Sequence, residues 1–230
     1  MESFLSSLGY DNWVLPALLL IPVIGAVLLL VMRGGAADSD EGANRSARMV
    51  AFVTLMLEFI VSAGLWWTFD PANSGWQSSV DAEWIPMWGI RFTLGIDGIA
   101  LMMILLTTFI MPLCVLGSWN SVKRKVNAFF ALMLILTSGM LGVFMARDLF
   151  LFYVMWEVML VPMYFIIGVW GGERRIYASL KFFIYTMVGS LLMLVAIVYL
   201  GLAVADPMTG TPNFGYDHIL QNARPSFTAS

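Results

Sequence analysis

Six long apolar runs, separated by shorter polar segments, dominate the hydropathy pattern of this 230-residue chain. Each run has the length of about 20 residues that an α-helix needs to cross the hydrocarbon of a bilayer at about 1.5 Å per residue. None of them alternates apolar and polar positions as the strand of a membrane β-barrel does. The pattern therefore predicts six transmembrane helices, at 13–32, 49–69, 96–119, 126–146, 149–170 and 176–205.

Two longer polar segments complete the chain. The connection at 70–95 contains prolines, glycines and the alternating stretch Ile90-Arg-Phe-Thr-Leu94, which predicts a short outer β-hairpin leading into the third span. The segment 206–230 lacks an apolar run and reads as an outer loop or tail, with a short surface helix at 214–220. We expect an all-α polytopic membrane protein, with residues 1–230 in a single membrane domain.

Composition supports the membrane assignment. Charged residues make up 12% of the chain, hydrophobic residues 60%, and the mean hydropathy is +0.85. Soluble proteins use roughly 25% charged residues, because their surface must be polar. These values exclude a disordered chain, a nucleic-acid-binding module and an ordinary soluble domain, and they make the lipid bilayer the expected surroundings.

The distribution of basic residues predicts the orientation. Nine of the twelve lie after the first, third and fifth spans or just inside the sixth, namely Arg33, Arg45, Arg48, Lys123, Arg124, Lys125, Arg174, Arg175 and Lys181. The opposite side has only Arg91, Arg147 and Arg224. By the positive-inside rule, both termini of this segment face outward. The N-terminal segment is acidic and lacks the basic region of a signal peptide, so the first run is interpreted as a retained span.

Three charged residues, Glu58, Glu157 and Lys181, lie deep inside predicted spans. A charge at the bilayer centre costs at least about 2.5 kcal/mol, so such residues usually face a polar interior. Glu157 lies about 12 Å along its helix. Tyr153 precedes it by one helical turn, Trp156 adjoins it, and Pro162 frees a nearby backbone carbonyl. A carboxyl group in this setting can take up and release a proton; the alternative is a neutral acid hydrogen-bonded to another helix.

The other two charges are less specific. Lys181 either snorkels to the interface or begins a hydrated track toward Glu157, lined by Thr137, Ser138, Gly139, Tyr185, Thr186, Gly189 and Ser190. Its depth is too different from that of Glu157 for a direct salt bridge. Glu58 has no evident polar neighbours, so an interhelical hydrogen bond or a contact with a partner subunit is expected rather than catalysis.

The remaining polar features suggest structural roles. Asp97 is expected to cap the third span, and Arg147 and Asp148 to form a local ion pair or a helix cap. Cys114 is interpreted as a buried, inert thiol, and His218 alone does not make a metal site. The sequence has no GxGxxG, P-loop or CxxCH motif, so we expect no cofactor and no metal in this chain.

The segment from Ala146 to Gly172, ARDLFLFYVMWEVMLVPMYFIIGVWGG, followed by Arg175 and Lys181-Phe-Phe-Ile-Tyr-Thr, resembles the antiporter-like chain M family of proton-pumping NADH–quinone oxidoreductase, or respiratory complex I. The stretches Leu94-Gly-Ile-Asp-Gly and Phe214-Gly-Tyr-Asp-His-Ile-Leu are also similar to that family. The similarity runs along nearly the whole chain and is most specific from 146 to 190.

The resemblance implies a function. In that family the glutamate at the Glu157 position takes part in proton translocation with a lysine on a broken seventh helix. We therefore expect Glu157 to be the relay carboxylate. From their positions in the sequence, Tyr153, Trp156 and Pro162 are expected to shape its site, and Lys181 is a secondary candidate on the cytoplasmic side. NADH, flavin, iron–sulfur and quinone chemistry, and other membrane subunits, would belong to the rest of the complex, in a bacterial cytoplasmic (inner) membrane.

The family has fourteen spans with two inverted five-helix repeats, so this chain is expected to be the N-terminal portion of a longer protein, truncated near 230. Two other functions stay open. The chain could be a subunit of a multi-subunit cation/proton antiporter, or a non-conducting structural fragment.

Overall fold

The computed structural model describes residues 5, 7, 9–32, 41–73, 75–205 and 210–228, with the backbone alone at 43 and 223–228. The described residues form seven α-helices and one β-hairpin: α1 Tyr10–Met32, α2 Glu41–Thr68, β1 Gln77–Ile85, β2 Ile90–Ile96, α3 Gly98–Ser118, α4 Val126–Met145, α5 Leu149–Trp170, α6 Arg175–Ala203 and α7 Tyr216–Thr228. Helices α1 to α6 are each long and apolar enough to cross a membrane. The prediction of six membrane-spanning helices is confirmed.

The helix boundaries differ most at α2, which begins at Glu41 rather than at 49. The first turns of this helix have the polar sequence EGANRSAR. These residues extend the helix beyond its apolar run, so a hydropathy pattern cannot detect them. The Asp97 side chain caps α3 as expected, since its Oδ1 accepts a hydrogen bond from the backbone N–H of Ala100 at 2.7 Å.

Helix α4 is the centre of the bundle and packs against α1, α2, α3 and α5. Of the most apolar 18 residues of α4, 61% are buried, compared with 17% in α5 and 11% in α6. Leucines and small residues from α1 to α4 form most of the core, around Leu18, Leu55, Leu134 and Leu141. Helices α5 and α6 pack against each other at the side of this bundle and leave broad apolar faces uncovered.

Two glycines let α5 approach α4 closely. A Cβ added to Gly139 would lie 2.6 Å from Cγ of Met159, and one added to Gly142 would lie 2.7 Å from Sδ of Met155. A larger side chain at either position would force the facing methionine side chain to move. The glycines therefore fix the α4–α5 contact, which is the contact that positions the rest of α5.

The connection at 70–95 contains the antiparallel pair β1–β2, in which Glu83 is opposite Arg91 and Ile85 is opposite Ile90. Gly89 ends the turn with φ of 66°, a left-handed conformation that favours glycine. Arg91 donates a hydrogen bond from Nε to Oδ1 of Asp81 at 2.8 Å, and this contact lowers the pKa of Asp81.

Helix α7 replaces most of the loop predicted at 206–230 and is longer than the surface helix expected at 214–220; residues 206–209 and 229–230 lie outside the described part. Arg147 holds it in place, since its Nη2 lies 2.6 Å from Oδ2 of Asp217. The Arg147 guanidinium also covers the Trp76 ring at 4.9 Å, and the Trp76 indole donates to Asp217 at 2.9 Å. We call Trp76, Arg147 and Asp217 the arginine clasp.

Of the two roles expected for Arg147 and Asp148, a local ion pair or a helix cap, the helix cap is confirmed. Arg147 does not pair with its neighbour Asp148, which instead caps α5 by accepting from the backbone N–H groups of Phe150 and Leu151 at 2.9 and 3.0 Å. Burial raises the pKa of Asp148. Burial also acts to raise that of Asp217, but the hydrogen bonds from Trp76 and Arg147 outweigh it and leave the pKa of Asp217 lowered.

Cys114 was expected to be buried, and this is wrong: it lies on the exposed side of α3. In a membrane helix an apolar run has no inward-facing pattern of its own, because the residues on the lipid side are apolar as well.

Candidate functional site

The candidate site is centred on Glu157, in the middle part of α5. Its side chain is partly buried, and Oε1 has almost no contact with solvent and no hydrogen-bond partner among the described residues. A buried polar atom without a partner is rare in folded proteins and calls for an explanation. A carboxyl oxygen in this position can accept a hydrogen bond from water or hold a proton.

A hydroxyl group lies beside Glu157, and a second hydroxyl group lies beside the first. The Tyr153 hydroxyl interacts with the Glu157 carboxyl and with the Ser190 hydroxyl of α6. Ser190 is 4% exposed and also donates to the carbonyl of Met187 at 3.0 Å. The structure therefore brings together a carboxyl, a phenol and an alcohol at the α5–α6 contact, and only the first two were predicted to belong to one site.

The packing of α6 against α5 explains why Ser190 reaches this position. The helices run antiparallel, with the Tyr164 and Phe183 rings 5.4 Å apart and Gly168 beside Ser179. At about 1.5 Å per residue, Glu157 and Ser190 lie at about the same depth, some 20 Å from the end of the pair at which α5 ends and α6 begins. Sequence spacing within one helix could not indicate this contact, because it depends on the register between two helices.

The other residues predicted to shape the site surround it less closely. The Trp156 ring stacks on Phe152 with centroids 6.2 Å apart and is 36% exposed, so it lies on a partly open flank of α5. Pro162 is buried within α5, and the helix continues through it to Trp170. Because proline has no N–H, the carbonyl of Val158 loses its helical donor one residue from Glu157.

Lys181 lies apart from Glu157. Its side chain is exposed on α6, with Nζ 5.9 Å from the centre of the Tyr177 ring, and no ion pair joins it to Glu157 in the described part of the chain. Tyr185, one turn further along, is 83% exposed, and a Cβ added to Gly189 would meet nothing within 4 Å. Lys181, Tyr185 and Gly189 therefore lie on the side of α6 that faces away from α5. Of the polar stripe expected along α6, only Ser190 is shown in contact with the site.

The α4 residues of the expected hydrated track are engaged elsewhere. The Thr137 hydroxyl donates to the carbonyl of Met133 at 2.9 Å, and the Ser138 hydroxyl donates to Leu19 of α1 at 2.8 Å. The space beside Gly139 is occupied by the Met159 side chain. The prediction of a continuous polar track from Lys181 along α4 to Glu157 is wrong for these residues.

Glu58 is a second buried carboxyl group, for which the sequence predicted no catalytic role. It is 0% exposed on α2, and neither of its carboxyl oxygens has a hydrogen-bond partner among the described residues. The expected interhelical hydrogen bond is therefore not formed. Polar neighbours were also missed: Thr54 and Ser62 precede and follow it by one helical turn, and this four-residue spacing is visible in the sequence.

The groups present at the site are suited to proton chemistry. Within the described residues, no group of three or more His, Cys, Asp or Glu side chains comes together to hold a metal ion. What the geometry offers is a partly buried carboxyl with a free oxygen beside two hydroxyl groups, an arrangement that can accept, hold and pass on a proton.

Comparison with known proteins agrees with this architecture. The family profile described as NADH:quinone oxidoreductase/Mrp antiporter, TM matches residues 146–211, which include α5 and α6. NADH-quinone oxidoreductase subunit M of Rhodobacter capsulatus is 42% identical over 86% of the chain, and that of Escherichia coli K12 is 38% identical over 92%. The matches cover 38% and 42% of those relatives, so the chain spans about two-fifths of their length.

Solved structures give the same fold. A chain of respiratory complex I from Thermus thermophilus superposes with a TM-score of 0.72 at 28% identity, over 91% of this chain and 39% of that one. A chain of the Mrp complex from Dietzia also reaches 0.72, over 94% and 21%, and at 19% identity it supports the fold alone. The chain is thus an integral membrane protein, and it belongs to the family of antiporter-like membrane subunits that includes subunit M of NADH–quinone oxidoreductase.

Proposed function

We propose that this chain is part of a proton-translocating membrane subunit of an NADH–quinone oxidoreductase, in which Glu157 relays protons while the redox chemistry takes place in partner subunits. The observation that carries the proposal is the buried, unpartnered Oε1 of Glu157 within the segment 146–211 that matches the family. An ionisable side chain inside a membrane span is costly and usually has a functional role, which supports a part for Glu157 in proton transfer.

The surroundings of Glu157 support a relay role. Tyr153 and Ser190 provide hydroxyl groups on two helices, and hydroxyl groups can accept one proton while donating another. The freed carbonyl beside Pro162 adds an acceptor for water. Trp156, on the open flank of α5, would limit access of water from that side, and other membrane subunits would cover the apolar faces of α5 and α6.

The sidedness follows from charge. With nine basic residues on one side and three on the other, both termini of this segment would face the outside of a bacterial cytoplasmic membrane. The hairpin and the arginine clasp would then lie on the outer surface, at the end from which Glu157 is about 12 Å deep.

The direct test is Glu157→Gln in the full-length subunit within the assembled enzyme, with proton uptake and quinone reduction measured in the same vesicles. Glutamine keeps the size of the side chain but cannot titrate, so we expect pumping to fall while the amount of assembled complex is unchanged. Glu173→Gln, at an exposed acid after α5, is the matched control and should pump normally. Pumping at the parental rate in Glu157→Gln would refute the relay, and loss of assembly instead of pumping would support a structural role.

Lys181 is proposed as a secondary relay on the cytoplasmic side. Its exposure on α6 makes it accessible to groups outside this segment, and about 14 Å of helix separates it from the level of Ser190. We expect Lys181→Gln to lower pumping less than Glu157→Gln does, and Lys181→Arg, which keeps the charge, to restore it. Equal pumping by the parent and by Lys181→Gln would remove Lys181 from the proposal.

A cation/proton antiporter subunit is the second candidate, favoured by the fold shared with the Mrp complex. The two functions differ in their energy source. Proton movement that requires NADH and quinone supports the first, whereas sodium-driven proton exchange in vesicles without an electron donor supports the second.

A further inference from the structure

Glu58 occupies a core position of α2. The buried residues of this helix follow a spacing of three and four and include Ala51, Leu55, Ser62 and Leu65, and Glu58 is at the centre of that series. Such a stripe normally holds apolar side chains. A carboxyl group in its middle, 0% exposed, therefore lies inside the α1–α4 core and not on a lipid-facing surface.

Among the residues that the structure describes, no cation pairs with Glu58. Helix α2 packs against α1, α3 and α4. The titratable side chains on those helices are Tyr10 and Asp11 in the first turn of α1 and the outward-facing Cys114 of α3, while α4 has none. On α2 itself the nearest charged residue is Arg48, ten positions and about 15 Å away along the helix. An ionised carboxyl group without a partner would be prohibitively costly here, so the site favours the protonated acid.

The proton of that acid has acceptors nearby. Ser62, one turn from Glu58, is hydrogen-bonded to Thr108 of α3 at 2.7 Å, and both hydroxyl groups are completely buried. Ser62 also lies 2.9 Å from the carbonyl of Phe59, and Thr108 lies 3.0 Å from that of Ile104. Two hydroxyl groups have only two hydrogens and four lone pairs, so the pair retains unused acceptor capacity.

A route toward one end of the bundle starts from the same pair. Tyr10, in the first turn of α1, donates its hydroxyl to the carbonyl of Val61, which is adjacent to Ser62. Thr54, on the other side of Glu58, has its hydroxyl 2.8 Å from the carbonyl of Val50 and packs against Gly25 of α1. Polar groups therefore lie on both sides of Glu58, and those on the Ser62 side continue through Thr108 and Tyr10 toward the hairpin end.

We infer that Glu58 is a proton-binding site enclosed by α1–α4, and that its proton exchanges with the hairpin side through water bound at the Ser62–Thr108 pair. The ligands are a proton and water. Buried water typically makes about three hydrogen bonds to groups that would otherwise lack partners, and the two Glu58 oxygens with the hydroxyl pair provide that number. The inference does not depend on the proposed function of Glu157.

The test is infrared spectroscopy of the full-length subunit in its membrane complex, in H₂O and after transfer to D₂O. We expect the carbonyl band of one protonated carboxylic acid to be present in the parent, to shift in D₂O and to be lost in Glu58→Gln. Glu157→Gln should retain this band, so its outcome separates the inference from the relay proposal. Ser62→Ala with Thr108→Val should keep the band and slow its shift in D₂O.

Two results would overturn the inference. If Glu58→Gln retains every carboxylic acid band of the parent, Glu58 is ionised and has a partner. If the band disappears in Glu58→Gln but never shifts in the parent, the proton does not exchange. If Glu58→Gln fails to assemble, Glu58→Asp is the alternative, because it keeps a carboxylic acid. In Glu58→Asp the same carbonyl band should change its frequency rather than disappear. A band at the parental frequency would contradict the proposed site.

Discussion

Removing the Asp217 carboxylate should release α7 from the end of the bundle. Asp217→Ala eliminates the 2.6 Å contact with Arg147 and the 2.9 Å hydrogen bond from Trp76. It also leaves Arg147, whose side chain is only 19% exposed, without its ion-pair partner, and the Nε of that guanidinium already has no hydrogen-bond partner among the described residues. The change therefore removes a charged contact that joins the segment before the hairpin, the α4–α5 turn and α7.

The magnitude follows from these contacts. A hydrogen bond to a charged group contributes about 1.5–3 kcal/mol when it is buried. Asp217 is 45% exposed, so solvent screening places the combined loss near the lower end, at about 1.5–2 kcal/mol. At about 1.4 kcal/mol per factor of ten, α7 should open about 10–30 times more often.

Hydrogen exchange measured by mass spectrometry reports this opening. The backbone N–H of Tyr216 donates to Arg147 and that of Leu149 donates to Phe214, both at 2.9 Å, so both should exchange about 10–30 times faster in Asp217→Ala. Glu83→Ala is the matched control, because Glu83 is 70% exposed and its oxygen lies 3.9 Å from Arg91. Unchanged exchange at Tyr216 and Leu149 in Asp217→Ala would refute the clasp as the contact that holds α7.

Three further predictions concern the same framework. Because the pKa of Asp217 is lowered in the folded protein, the arginine clasp is fully formed above about pH 4, the ordinary range of aspartate, and is lost as the pH falls through the lower pKa of the folded state. Hydrogen exchange of the α7 amides, corrected for the intrinsic rate, should therefore be constant from about pH 7 to 4 and should rise only below about pH 4. Gly142→Leu should lower the unfolding midpoint by overpacking α4 against α5, at a cost of about 1–3 kcal/mol, whereas Gly189→Leu, in open space, should be tolerated; equal midpoints would contradict the packing. Asp148→Ala should destabilise the start of α5 by about 0.5–2 kcal/mol, seen as faster exchange at its first turn, and unchanged exchange there would mean that the cap is dispensable.

The helices could be predicted from the sequence because membrane insertion depends on length and hydrophobicity, two properties of a local window. The start of α2 could not be predicted in this way, because its first turns are polar and extend the helix beyond the apolar run. Glu157 was identified because a carboxyl group inside an apolar run is conspicuous in sequence. Ser190, which interacts with Tyr153 at this site, was predicted only as part of a polar stripe from Lys181, whereas in the structure Lys181 lies on the exposed side of α6.

The error at Glu58 has a different origin. Its neighbours Thr54 and Ser62 could be recognised from their four-residue spacing, but the second half of the site, Thr108, comes from α3 and required the packing of the bundle. The arginine clasp is similar, because Arg147 and Asp217 are seventy positions apart. A hydropathy pattern describes a local window of sequence, so it cannot predict contacts between distant segments.

The two buried carboxyl groups differ in how completely the described helices surround them, and this difference argues for different roles. Glu58 is 0% exposed and lies among α1–α4, so the described helices already enclose it. Glu157 lies on the α5–α6 pair, whose outer faces are uncovered, and the relatives are more than twice as long as this chain. The relay proposed for Glu157 would therefore need groups beyond these six helices, whereas Glu58 should bind and exchange its proton whether or not Glu157 relays one.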